Sequence, residues 1–434
     1  MSAAGHSGGF DQRVLTNALW LYADQAVRLV MAITTFSIVA RYLGPTGYGV
    51  LAFVTAFPAV FLPLAKLGLD FVVVQALVRR AQEKARIMAT AATLMFVAGV
   101  LSLLMAAAVT GFIQEDHSAK SLLWISIWVL VAQPLLVFDF YFQSKIASRN
   151  TVIVRLGTSF ISNGCRLALV FGDAELVWFV SLFVLETVIL SAGLWLIARR
   201  NGVGRFSIFR DFSGHEAKQQ LCEAWPLMLA GLAMACYLKF DQLLLSRLAG
   251  IEELGLYAAA MRLADMGQLV TYAMITSYFP RLIEIHAQGG KQWGVAIEVF
   301  WRQITWLGVA VAVVASIMGP LMLEKLLGTA FGGATLPMVL LVWGNVFAAQ
   351  IGVRGKWFLA EGMQRHSLYF FLGGAMVHLG GICLFTVSLG ALGAALSYLC
   401  AQLAMTLVFP LLFAKTRPSV GIALRSFLPF SNAT

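Results

Sequence analysis

Eleven charged side chains lie inside long apolar runs of this 434-residue chain. Asp24 and Arg28 stand four apart in WLYADQAVRLVMAITTFSIVARYLG (20–44), which puts both on one face of a helix. Lys66 and Asp70 repeat that spacing in the next run. Lys239 and Asp241, then Arg262 and Asp265, follow in the second half of the chain, while Arg166, Asp139 and Glu186 stand singly. A charge at mid-membrane costs about 2.5–3.5 kcal/mol on insertion scales, so it faces a partner or a wet cavity. Ion pairs that hold helices together account for any one pair. Five basic residues (Arg28, Lys66, Arg166, Lys239 and Arg262) spread over both halves fit a basic, water-filled cavity better as a set. Such a cavity suits an anionic group, because Arg binds phosphate bidentately and Lys acts as a point charge. The acidic residues Asp24, Asp70, Asp139, Glu186, Asp241 and Asp265 either orient these cations or carry coupling protons, and the sequence leaves both roles open.

Composition sets where these charges sit. The chain is 60% hydrophobic and 12% charged, against about 25% charged in an average soluble domain. Its mean hydropathy is +0.82. Most of its surface therefore does not face water. In lipid the backbone must satisfy itself, which leaves helices or closed barrels. The apolar runs have the ~20-residue length that helices need and lack the alternation of barrel strands. The expected fold is an all-α polytopic membrane protein with twelve spans: 16–41, 48–75, 87–113, 121–144, 151–172, 175–198, 223–247, 254–280, 299–323, 334–358, 367–388 and 390–414.

Alternate connections are rich in Lys and Arg. RRAQEKAR (79–86), SKIASRNTVIVR (144–155), the 198–220 stretch, PRLIEIHAQGGKQW (280–293), RGKWFLAEGMQRH (354–366) and the tail lie on one side, which with Arg13 and Arg302 holds 22 of the 31 basic residues. The positive-inside rule then places both termini in the cytoplasm and makes the net charge of +10 a topology signal, with no nucleic-acid partner implied. The polar N-terminus lacks the pattern of a cleaved signal, so the first span is expected to direct insertion. The five cysteines carry no metal or CxxC spacing and read as small buried hydrophobes.

The expected domains are an N-terminal six-helix half (1–198), a cytoplasmic interfacial linker (199–222), a C-terminal six-helix half (223–414) and a basic tail (415–434). Ser213 and Glu216 have capping-box spacing, so the linker ends either in a helix leading to span 7 or in a plain loop, with Phe206, Ile208, Phe209 and Phe212 free to rest on headgroups. A shift of 206 residues superposes Leu21 on Leu227, Arg41 on Arg247, Gly44 on Gly250, Gly49 on Gly255 and Ala52 on Ala258, which predicts two repeats in the same orientation, a transporter architecture. Pro58, Pro63 and Pro134 are expected to kink their helices. Trp20, Tyr42, Tyr48, Trp178, Trp293 and Trp357 lie near span ends as interface anchors, and His378 reads as a packed histidine. No nucleophile–His–acid set, phosphate-cradling glycine loop or metal cluster is evident, so neither an enzyme nor a cofactor is expected.

ARYLGPTGYGVLAF (40–53), LAKLGLDFVVVQALVRR (64–80) and KFDQLLLSRLAGIEELGLYAAAMRLAD (239–265) resemble the first outer loop, the end of span 2 and the span 7–8 junction of bacterial polysaccharide exporters. These motifs fill about a fifth of the chain. The resemblance is to the polysaccharide-transporter branch (O-antigen and exopolysaccharide flippases) of the multidrug/oligosaccharidyl-lipid/polysaccharide (MOP) superfamily. It implies two six-helix halves in a V around a central cationic cavity, in the bacterial cytoplasmic membrane. It also implies movement of an undecaprenyl-diphosphate-linked oligosaccharide from the inner to the outer leaflet, with the diphosphate on basic residues and possible proton or sodium coupling. Spans 1 and 7 become gate helices, and polysaccharide polymerase or assembly proteins become partners. A multidrug/cation antiporter of the same superfamily would call for an acidic cavity. A membrane polysaccharide polymerase or ligase would call for a large external loop, and the outer loops here are short. Nothing positive speaks for a structural scaffold.

Overall fold

The computed structural model describes the backbone of residues 7–112, 117–145, 148–202, 211–288 and 291–428, and side chains over 31–112, 119–145, 149–202, 211–287, 292–363 and 365–428. Among the described residues there is no strand. The α-helices in chain order are α1 (Ser7–Lys66), α2 (Leu69–Arg79), α3 (Lys84–Phe112), α4 (His117–Ser126), α5 (Val137–Ser144), α6 (Ser148–Phe171) and α7 (Leu176–Arg200). They continue with α8 (Gly214–Ala249), α9 (Ile251–Gln288), α10 (Lys291–Leu327), α11 (Thr335–Ala360), α12 (Gln364–Leu403), α13 (Phe409–Leu412) and α14 (Pro418–Arg425).

Among the described residues, eight stretches are long and apolar enough to cross a membrane. Two of them, Met31–Arg79 and Arg365–Leu412, each hold a pair of the spans expected from sequence. α1 turns at Gly44 (φ 67°) and α12 at Gly390 (φ 55°), conformations open to a residue without Cβ. The 24-residue α6 and 38-residue α9 also have the length to cross, but no window as apolar. With the pairs separated and these two added, the helices match the twelve expected spans.

Pro58 and Pro63 keep helical dihedrals within α1. The helix stops at Lys66, where Leu67 (φ 55°) and Gly68 (φ 67°) turn the chain before α2. Span 4 is interrupted as expected near Pro134, where two short 3₁₀ turns separate α4 from α5. A proline lacks the N–H that would continue the ladder.

Contacts divide the chain into two units: Met1–Leu43 with Phe53–Phe240, and Gly44–Ala52 with Asp241–Thr434. The division falls inside α8, whose earlier turns pack with the first unit. The reason is a polar anchor. Glu216, 2% exposed, accepts two hydrogen bonds from the Arg80 guanidinium at 2.7 and 2.9 Å and a third from Gln220 at 3.1 Å. Ser213 caps the helix by accepting the Glu216 N–H at 3.4 Å. Only half of the capping box forms, because Glu216 turns to Arg80 while the Ser213 N–H goes to Thr90 Oγ1 at 3.2 Å. Phe212 is exposed; Phe206, Ile208 and Phe209 lie outside the described residues.

Each unit has its own apolar core. Leu69, Val73, Ile87, Met88, Met95, Phe138, Phe142 and Leu194 fill the first, and Ile275, Ile297, Phe300, Trp301, Ile304 and Val353 the second. Lipid tails are as apolar as these side chains, so close packing rather than water exclusion holds them together.

The 206-residue repeat recurs in the second unit's packing. Gly44 and Gly250 both take positive φ, 67° and 95°. A Cβ on Gly49 would strike the Ile251 carbonyl oxygen, and one on Gly255 would strike that of Pro45. Each would also reach 3.0 Å from the other's amide nitrogen. The pairs 45/251 and 49/255 are repeat mates, so the contact is reciprocal and the two helix starts touch backbone to backbone.

Arg80→Ala strands a buried carboxylate and should cost on the order of 3 kcal/mol, read as a lower thermal midpoint in detergent; an unchanged midpoint would show that the Glu216 anchor contributes nothing. Gly68→Ala places a Cβ 2.5 Å from the Met228 nitrogen at a left-handed backbone and should destabilise strongly, whereas Leu67→Gly should gain about 1 kcal/mol by relieving its own left-handed strain. The same melts distinguish the two.

Candidate functional site

Within the first unit, the break after α1 gathers charges from five helices around one cavity of about 750 Å³. Lys66 ends α1, and Asp70 sits in the first turn of α2, where the positive helix terminus favours a carboxylate. Asp139 and Gln143 come from α5 one turn apart. Arg155, Thr158, Ser159 and Arg166 line one face of α6, and Glu186 and Thr187 come from α7. Phe71, Phe140 and Phe183 supply apolar wall.

The lining charges balance: Lys66, Arg155 and Arg166 against Asp70, Asp139 and Glu186. Two pairs are closed. Arg155 donates to Asp139 Oδ2 at 2.8 Å, and Arg166 to Glu186 Oε2 at 2.5 Å. Gln143 also donates to Asp139 Oδ2, at 3.0 Å. Asp139 is only 7% exposed, and its Oδ1, like that of Asp70, is closed off without a hydrogen bond among the described residues. Lys66 makes no ion pair within 4.0 Å among the described residues. It is the lining cation available to a ligand.

Several expected site residues therefore meet, and others do not. Lys66, Asp70, Asp139, Arg166 and Glu186 share this cavity. Lys66 and Asp70 do so across the turn at Leu67 and Gly68, not on one helix face as their spacing suggested. Lys239 does not line it. In the second unit Arg262 and Asp265 are exposed. Asp241 is buried, accepting the Tyr257 hydroxyl at 2.9 Å and its neighbour's Gln242 N–H at 2.7 Å, with His378 Nε2 at 3.7 Å. The side chains of Asp24 and Arg28 lie outside the described residues.

Two arginines counted with the Lys- and Arg-rich connections take specific places in the fold. Arg155 lines the cavity; its place in α6, three turns before Arg166 on the same face, was the available signal. Arg354 is 1% exposed and donates to the carbonyls of Met405 and Thr406 at 2.8 and 2.7 Å. Those carbonyls belong to a π-helical turn, Ala404–Val408, whose wider winding disturbs the normal ladder. No sequence pattern marked that turn.

The comparisons with known proteins agree with this architecture. A family model described as "Polysaccharide biosynthesis protein" matches residues 14–286. The "Putative O-antigen transporter" of Escherichia coli (strain K12) is 17% identical over 351 residues, covering 77% of this chain and 82% of the relative. An inward-facing multidrug resistance MATE family transporter of the MOP superfamily superposes with a TM-score of 0.67 at 14% identity, covering 94% of this chain and 99% of that one. The lipid II flippase MurJ, in an inward closed conformation, gives a TM-score of 0.64 at 12% identity, covering 96% and 94%. At these identities the structural matches establish the fold. With the family match covering more than half of its length, the chain belongs to the polysaccharide biosynthesis protein family, as a multi-pass membrane protein with the helical fold of MOP-superfamily transporters.

Proposed function

We propose that this protein is a flippase that moves an undecaprenyl-diphosphate-linked oligosaccharide from the inner to the outer leaflet of a bacterial cytoplasmic membrane. The observation that carries the reading is the polar cavity inside a unit of membrane helices, with Lys66 in its wall and in no ion pair among the described residues. Family membership and the names of the O-antigen transporter and the lipid II flippase support it.

Lys66 is the residue best placed to meet a phosphate oxygen. A compact ammonium adapts to a moving diphosphate at little geometric cost. Arg155 and Arg166 are held by their carboxylates, and drawing either away would strand Asp139 or Glu186. They shape the cavity more than they bind anion. Arg28, Lys239 and Arg262 remain candidate phosphate contacts at other stages of transport. The protein breaks no covalent bond in this scheme, so the work comes from an ion gradient, protons or sodium, acting on carboxylates such as Asp70 or Asp241. The excess of Lys and Arg on one set of connections puts both termini in the cytoplasm. The moved glycan then stands where a polysaccharide polymerase can take it.

The test is transport in proteoliposomes with a fluorescent undecaprenyl-diphosphate oligosaccharide, under a proton or a sodium gradient. Wild type should move the lipid, and Lys66→Ala should slow it about 10- to 100-fold, the loss of a charged hydrogen bond worth ~1.5–3 kcal/mol. Lys66→Arg should restore part of the rate. No movement by folded wild type under either gradient would overturn the reading.

A further inference from the structure

The cavity in the first unit is lined as a sugar would require rather than as a diphosphate would. We infer that it is the subsite for uncharged, hydroxyl-bearing sugar residues of the lipid-linked glycan, with Lys66 as its single contact for the phosphate end. This rests on the flippase reading and assigns the two ends of that substrate to different lining groups.

The first observation is charge. Three cations and three anions line the cavity, and two of the cations are already bonded to carboxylates. A diphosphate needs several free donors of positive charge, and one ammonium is what the wall offers. The second observation is the state of the hydroxyls. In these helices Thr93 bonds to the backbone carbonyl of Ala89, Thr110 to that of Ala106 and Ser181 to that of Val177, at 2.8–2.9 Å, while Thr151 and Ser162 of α6 are closed off without a partner among the described residues and away from any opening. Thr158, Ser159 and Thr187 line the cavity and make no such bond to any described residue. Each hydroxyl can both donate and accept, which is what sugar hydroxyls ask of a partner. The third is shape. The cavity, about 750 Å³, lies in the range of small-molecule sites, and its phenylalanines give apolar surface for the C–H faces of a sugar ring.

The test compares three fluorescent lipids on one carrier in proteoliposomes: undecaprenyl diphosphate alone, the same with one N-acetylhexosamine, and the same with a tetrasaccharide. The readout is the ratio of glycan-bearing to bare-carrier rates. Wild type should favour the glycan-bearing lipids. Thr158→Val with Ser159→Ala, and separately Thr187→Val, should lower that preference about tenfold, ~1.4 kcal/mol. Lys66→Ala should slow all three lipids together and leave the ratio alone. Thermal melts confirm that each variant is folded, and Ser159→Ala alone, the mildest change, covers failure of the double variant. An unchanged ratio in the folded hydroxyl variants, with wild type active, overturns the subsite and spares the flippase reading. Inactivity of wild type on all three lipids overturns both.

Discussion

A charge held inside a membrane protein must be matched by a partner or a wet space, and the arrangement of this chain follows from that constraint. Arg155 and Arg166 take carboxylates; Arg354 takes two carbonyls that a π turn leaves available. Glu216 is buried because Arg80 reaches it with both nitrogens. Asp241 is buried because Tyr257 donates to it. Once these are paired, Lys66 stands out as a cavity cation without an ion pair among the described residues, and it sits where helix α1 ends.

Helix termination does the positioning. An unbroken span from 48 to 75 would carry Lys66 and Asp70 as one more intrahelical pair. The turn at Leu67 and Gly68 ends the helix at the lysine and starts α2 just before the aspartate. Gly68 is held there by the backbone of α8, since its missing Cβ leaves room for Met228. A left-handed leucine is a strained residue, and such strain persists where surrounding packing fixes it. The anchor of Glu216 on Arg80 and the packing of Gly68 on Met228 tie the same helix, α8, to the first unit at two levels.

Much of this was legible in the sequence, for identifiable reasons. Hydrophobic runs of membrane length give spans directly, and the glycine frame of the repeat returned as paired positive-φ turns and a reciprocal contact at Gly49 and Gly255. The in-span positions of Asp139, Arg166 and Glu186 marked cavity residues, because apolar surroundings make an isolated charge conspicuous. Arg155 was hidden by its position at a span end, where a positive charge also satisfies the positive-inside rule. Arg354 was hidden in the same way, and its partners depend on a π turn that no residue type announces. The balance of charge in the cavity also escaped the sequence, because pairing depends on which helices meet.

A polar cavity in the first unit that receives the glycan of the proposed substrate must be open to water and closed by that glycan. The direct measurement is labelling of Ser159→Cys, in a chain whose five native cysteines are replaced, by a small water-soluble thiol reagent in proteoliposomes. Labelling is expected at that position, slowed by an undecaprenyl-diphosphate tetrasaccharide and much less by the bare diphosphate carrier. A Ser159→Cys thiol that reacts at the same rate whether or not the glycan lipid is present would contradict it.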